Sequence, residues 1–205
     1  MGTGERRERE KDRRRQEILD AARAIFFRNG FAATTMPEVA RCAELAPGTL
    51  YLYFPSKDAL YAELLVEGYD LLLGQLQRAT RGRATPRRQA EALVDAFLGF
   101  AREHPAYFDI IFFLLQRETG KGPRAVLKPE QLARLEAREA ACKGIATQVI
   151  QAVATRRSGK DLRLLVEALW SMLVGVVSVW GKDAAFPELA AAARRILVDA
   201  VFQGR

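Results

Sequence analysis

Apolar residues recur every three to four positions along almost the whole chain, and no stretch alternates with period two as a half-buried strand would. The pattern predicts an all-α protein of about nine helices. Ile18, Leu19, Ala22, Ile25 and Phe26 form the first stripe, which stops at Asn29-Gly30, a left-handed cap. After two very short helices, Leu60, Leu64, Leu71 and Leu72 mark a long helix from Lys57 to about Ala79. Thr85-Pro86 caps a helix carrying Leu93, Val94, Phe97, Leu98 and Phe100 as far as His104-Pro105. The run Tyr107 to Leu115 is apolar on nearly all sides and therefore reads as buried. Gly120 to Pro123 break the chain, and a helix from about Pro129 to Arg156 follows along Leu132, Leu135, Cys142, Ile145, Val149 and Val153.

The last two helices carry more apolar surface than one neighbour can cover. Between Asp161 and Trp180, Leu162, Val166, Leu169, Leu173, Val176 and Trp180 alternate four and three apart, the spacing of a helix-packing seam. A second stripe, Leu165, Ala168, Met172, Gly175 and Val179, makes the same helix apolar on two faces. After Phe186-Pro187 the final helix offers Leu189, Ala193, Ile196, Leu197, Ala200 and Val201. The uncharged run from Ala168 to Gly181 falls short of the roughly 20 residues a membrane span needs, so the surplus calls for protein partners and not a bilayer.

The most specific pattern lies between Thr34 and Leu60. Thr35 followed by Glu38 is a capping box that starts a helix at Met36, with Pro37 tolerated in its first turn. Ala43 to Ala46 make a turn, and Pro47 opens a second short helix whose Leu50 and Phe54 face inward. Pro55 ends it, and Ser56 caps the next helix with Asp58 in the first turn. Helices of six or seven residues do not persist alone in water, so two in succession imply packing against a third, the geometry of a helix-turn-helix. Thr49, Tyr51, Leu52 and Tyr53 are left on other faces, where polar tips reach phosphate oxygens and base edges.

Thr35, Val39-Ala40, Gly48-Thr49-Leu50-Tyr51, Tyr53-Phe54 and Ser56 to Leu60, with Ile25 to Phe31 before them, resemble the signature of the TetR/AcrR family of transcriptional regulators across residues 13 to 62. Two positions depart from it: Glu44 stands where the family usually has a turn glycine, suggesting a turn that avoids positive φ, and Ala46 where it often has a serine cap. The resemblance implies a DNA-reading domain over 13–60 and a ligand-binding and dimerisation domain over 61–205, after a charged, disordered arm at 1–12. It implies Tyr53 and Lys57 as phosphate contacts and places Pro47, Gly48, Tyr51 and Leu52 beside base edges, with Thr35 and Thr49 completing the set. The two last helices would pair with twofold mates, so Leu162, Val166, Leu169, Leu173, Val176, Trp180, Leu189, Ile196 and Leu197 are the expected homodimer interface. Both faces packing into one monomer core is the competing arrangement. A pocket for a small hydrophobic or amphipathic effector would draw on Phe97, Phe100, Phe108, Phe112 and Met172.

Charge adds a polyanionic partner to this picture: the chain carries a net +7 with a pI near 9.7. The excess is not concentrated in the reading head, since residues 1 to 60 hold eleven Lys or Arg and nine Asp or Glu. The arm therefore reads equally as a solvated tail and as a source of salt-dependent phosphate contacts. No apolar leader follows Met1, and the two cysteines, Cys42 and Cys142, read as free and reduced in the cytoplasm. No metal or cofactor is expected, because His104 is the only histidine and no Cys/His cluster accompanies it. No nucleophile–base constellation supports an enzyme. The expected function is a repressor binding palindromic double-stranded DNA as a homodimer and released by its effector; the alternative is a sequence-independent architectural DNA-binding protein.

Overall fold

A computed structural model describes residues 3–82, 85–114, 127–152 and 159–202. Among these residues there are nine α-helices and one π-helical turn, and no strand. In chain order they are α1 (Thr3–Ala33), α2 (Met36–Cys42), α3 (Pro47–Tyr53), α4 (Lys57–Thr80), α5 (Pro86–Glu103), α6 (Pro105–Asp109), the π turn (Ile110–Leu114), α7 (Pro129–Gln151), α8 (Gly159–Trp180) and α9 (Phe186–Phe202). Leu115, the break at Gly120 to Pro123 and the helix end near Arg156 lie outside the described residues. The chain divides into two compact units, 1–68 with 109–135 and 69–108 with 136–205, so the π turn belongs with the reading head although it follows α5 and α6 in sequence.

In the first unit, α1 starts at Thr3, so the segment 3–12 expected as a disordered arm is helical. Pairs one turn apart hold it: Arg13 with Glu17 at 2.7 Å and Arg14 with Glu17 at 2.9 Å. Gly30 takes φ 81°, as the cap expected there requires, and the chain then resumes a helical path to Ala33. The core is aromatic: Phe26, Phe31 and Tyr61 meet with ring centroids 5.0 to 5.8 Å apart. Tyr61, fully buried, donates its hydroxyl to the Ile110 carbonyl at 2.7 Å and so ties α4 to the π turn.

In the second unit α5, α8 and α9 pack on one another. Thr85 caps α5 by accepting from the Arg88 N–H at 3.3 Å. Arg87 pairs with Asp199 at 2.6 Å and Arg194 with Asp95 at 2.9 Å, fixing α5 to α9. The face of α8 that packs inward carries Leu162, Val166 and Leu173, each under 10 % exposed, against Ile150 of α7 and Leu197 and Val201 of α9.

Candidate DNA-reading surface and effector cavity

The turn between α2 and α3 is built by two backbone hydrogen bonds. Glu44 N–H donates to the Arg41 carbonyl at 3.2 Å, and Leu45 N–H to the Ala40 carbonyl at 2.8 Å. This pair is the left-handed helix end in which one residue beyond the cap reverses the chain. That residue is Glu44, at φ 55°, so the expectation of a turn without positive φ is overturned. The two-bond closure dictates the left-handed conformation whatever side chain stands there. Ala46, at φ −65° and ψ 141°, begins α3 with no side-chain cap, as its sequence indicates.

The capping box on α2 is half made. Thr35 Oγ1 accepts from the Glu38 N–H at 3.4 Å, while the Glu38 carboxylate accepts from Asn29 Nδ2 at 2.8 Å. The glutamate thereby locks α2 to the end of α1, a link that sequence spacing does not reveal because the partners are nine positions apart.

Leu50 and Phe54 are buried beneath α3, and the opposite side faces solvent. Pro47, Gly48, Tyr51 and Leu52 are exposed, Leu52 by 85 %, while Thr49 and Tyr53 are half-buried. A leucine this exposed on a helix fixed by its other face is an unsatisfied apolar contact, of the kind that meets a thymine methyl. Thr35 is exposed at the start of α2. Lys57 is differently occupied: its ammonium donates to the Phe31 carbonyl at 2.7 Å and the Ala32 carbonyl at 3.3 Å, 4.4 Å above the Phe31 ring. A cation there satisfies carbonyls at the end of α1.

The second unit contains a cavity of about 70 Å³ between α4, α5, α7, α8 and α9, room for about five waters. Its wall includes Phe97, Cys142, Val149, Val166, Trp170 and Leu197. Of the five residues expected to line a pocket, Phe97 alone lines this cavity. Phe100 and Phe108 are packed in the core, Phe108 edge-on to Phe97 at 5.9 Å. Phe112 belongs to the first unit, and Met172 is 50 % exposed on the outside of α8. Large rings at helical spacing fill space; the void opens where Ala90, Ala146 and valines leave room.

The cavity also takes over the seam expected for dimerisation. Leu162, Val166, Leu173 and Leu197 are buried within the unit, and Leu169 lines the cavity with Val166, Leu173 and Leu197. Val176, Trp180, Leu189 and Ile196 lie along a separate outer groove with Met172. The exposed apolar residues of this region are Leu164, Met172, Val179, Trp180 and Ile196, from 41 to 69 % exposed. By length and composition α8 could span a bilayer, since Lys160–Trp180 contains an 18-residue stretch of mean hydropathy 1.8. It carries Glu167, paired with Lys143 of α7 at 2.7 Å, a costly group in hydrocarbon.

At the cavity edge the Trp170 ring meets Phe97 at 4.9 Å and lies 5.7 Å from the Lys143 ammonium. Burial pulls Lys143 down, but Glu139 and Glu167 outweigh it and hold the ammonium above its ordinary value. Burial, with Asp70 and Glu139 nearby, pushes the Cys142 thiol up to about 12. The cavity wall thus offers a neutral thiol, an aromatic surface and aliphatic groups.

Residues 18–64 match the model of bacterial regulatory proteins of the tetR family, and residues 90–201 match that of the tetracyclin repressor-like C-terminal domain. The chain is 38 % identical over 69 residues to the HTH-type transcriptional regulator YfiR of Bacillus subtilis, 34 % of either chain. It is 32 % identical over 102 residues to the transcriptional activator FasR of Mycolicibacterium smegmatis, half of this chain and 47 % of that one. With the repressor KstR of the same species it shares 38 % over 81 residues, 40 % of each chain. The chain thus spans between a third and a half of the length of these curated relatives. In fold it is similar to FadR of Bacillus subtilis, solved with stearoyl-CoA, at TM-score 0.73 and 17 % identity over 89 % of this chain and 97 % of that one. A tetR-family regulatory protein from Rhodococcus RHA1 superposes at TM-score 0.75 with 21 % identity over 92 % and 97 %. A helix-turn-helix whose reading helix is exposed, joined to a helical unit with an apolar cavity, and matches to both family models together show that this chain belongs to the TetR family of transcriptional regulators.

Proposed function

We propose that the protein is a ligand-responsive repressor that binds a palindromic operator as a homodimer in the cytoplasm and lets go of DNA when a hydrophobic or amphipathic molecule enters the cavity of the second unit. The observation that carries the reading is that cavity, whose wall is apolar apart from the Cys142 thiol and the Trp170 indole. Such a wall selects a hydrocarbon chain or ring over a charged metabolite. The fold's likeness to FadR, solved with stearoyl-CoA, makes acyl thioesters the first class to try. DNA would meet Thr35, Pro47, Gly48, Thr49, Tyr51, Leu52 and Tyr53, with Lys57 using the donor not aimed at the end of α1. The dimer would form through the outer face of α8 and α9, where Leu164, Met172, Val179, Trp180 and Ile196 are uncovered.

The experiment has two arms. A duplex selected from a random-sequence library is titrated by fluorescence anisotropy against the protein and its Tyr53→Ala variant, which should bind about tenfold or more weakly at unchanged melting temperature. Stearoyl-CoA, free fatty acids and aromatic acids are then screened by melting shift, and hits are added to the DNA complex. Failure to enrich any duplex over random sequence would favour the architectural alternative; enrichment without release by any stabilising ligand would remove the effector from the reading. Tighter binding with a ligand would make the protein a ligand-dependent DNA binder and not one released by its effector.

A further inference from the structure

The positive charge that DNA binding requires is not on the segment that reads DNA. Residues 18–64, which match the family's DNA-binding model, hold four cations, Arg23, Arg28, Arg41 and Lys57, against five carboxylates. Three of the four are already engaged: Arg23 pairs with Asp20, Arg28 lies 3.5 Å from Glu38, and Lys57 holds the end of α1. α3 has no charged side chain at all. Yet phosphate neutralisation by Lys and Arg supplies most of the sequence-independent affinity for a duplex.

Residues 3–17, which precede the matched segment, hold seven cations and five carboxylates. They are helical, so α1 projects fifteen residues before its first core residue, Ile18, a length of about 22 Å. Positions 4 to 13 are all exposed. One face is basic, although Arg9 and Arg13 lie with Glu5 and Asp12 on the opposite side. Arg7, Lys11 and Arg14 follow one another at i, i+4 and i+7, and their stripe runs on into Ile18 and Ile25 of the core. Where α1 leaves its apolar partners, a basic stripe takes the place of the apolar one, and among the described residues Arg7 has no ion pair. The root of this extension adjoins the reading helix: Arg15 pairs with Glu63 at 2.6 Å and stacks 5.1 Å over the ring of Phe54, the residue that ends α3.

Resting on the reading of the chain as a DNA-binding regulator, we infer that the helical extension 3–17 is a phosphate-binding arm. It lies along the DNA backbone beside the half-site, and Arg7, Lys11 and Arg14 supply the salt-dependent share of affinity that the reading head lacks. The ion pairs within the arm hold it helical in the absence of DNA, so the stripe is preformed. Arg14 exchanges its carboxylate partners Glu17 and Glu10, and Lys11 its partner Glu8, for phosphates.

The test measures binding of two labelled 30-base-pair duplexes, one selected from a random library and one of random sequence, between about 50 and 200 mM salt. The triple variant R7Q/K11Q/R14Q should flatten the slope of log affinity against log salt by about 2 to 3, so the loss of affinity across that range shrinks roughly 16- to 64-fold. The flattening should be equal on both duplexes, with melting temperature unchanged and the arm kept helical by the pairs of Arg13 with Glu10 and Glu17 that the variant leaves intact. The variant E5Q/D12N should keep the original slope, which separates a positioned stripe from net charge. A slope unmoved by the triple variant overturns the proposal and leaves the arm as a solvated helix or a contact for another protein. If the unmutated protein binds neither duplex at the low-salt end, the regulator reading and the arm fall together.

Discussion

Glu44 sits in the left-handed region because the turn between α2 and α3 demands it, and a side chain with a Cβ is strained there by about 1 to 2 kcal/mol. Glycine relieves that strain while costing about 0.5 to 1 kcal/mol of chain entropy, so Glu44→Gly should gain a net fraction of a kcal/mol, up to about 1. Ala46→Ser should add a further gain of about 1 kcal/mol by capping α3. Urea midpoints measure both, and a Glu44→Gly protein less stable than its parent would show that the strain is smaller than the chain entropy glycine costs. Cys142 makes a second residue-level case. With its pKa raised to about 12, the buried thiol stays protonated at pH 8, so a disulfide reagent should label Cys42 alone in the native protein and both cysteines after unfolding. A group raised in the folded state favours folding below its unfolded value, near 8.5. That contribution is lost as pH climbs from there toward 12.

At the scale of single helices, α8 decides the most. Its periodicity shows two apolar stripes, and only packing tells them apart. The Leu162-Val166-Leu173 side is buried in the chain's own bundle, and Leu164, Met172 and Val179 are left outside. Val179→Glu should therefore dissociate a dimer while leaving a folded protomer. Leu173→Glu should instead bury an unpaired carboxylate and cost about 3 kcal/mol or more of stability. Light scattering alongside thermal melts separates the two. Dissociation by Leu173→Glu at unchanged stability, with Val179→Glu still dimeric, would return the seam to the stripe first expected. Aromatic spacing misplaces a pocket for a like reason: Phe100 of α5 and Phe108 of α6 have the right period and are solid core, while Trp170 of α8 lines the cavity.

At the scale of the whole molecule, an effector in the second unit and DNA on the first communicate only through a difference in affinity. If release by ligand is real, saturating operator duplex should weaken ligand binding by the same factor by which ligand weakens DNA, on the order of 5- to 150-fold for a coupling of 1 to 3 kcal/mol. Calorimetric titration of the melting-shift hit, with and without duplex, reads that factor; equal ligand affinity in both titrations would show two independent sites.

The helix count, the two short helices, the caps at Thr35, Ser56 and Thr85 and the breaks at Gly30 and Pro55 were legible in the chain itself. Each rests on interactions within four or five residues, which spacing encodes directly. The exposure of Tyr51 and Leu52 was legible for the same reason, since Leu50 and Phe54 face inward. What required the tertiary structure were pairings between residues far apart in sequence: Glu38 with Asn29, Lys57 with the end of α1, and Tyr61 with Ile110. The choice between the two faces of α8 belongs with these, as does the place of the void. A stripe records that a face is apolar but not which neighbour covers it, and a cavity is a shortfall of volume summed over five helices that no single segment contains.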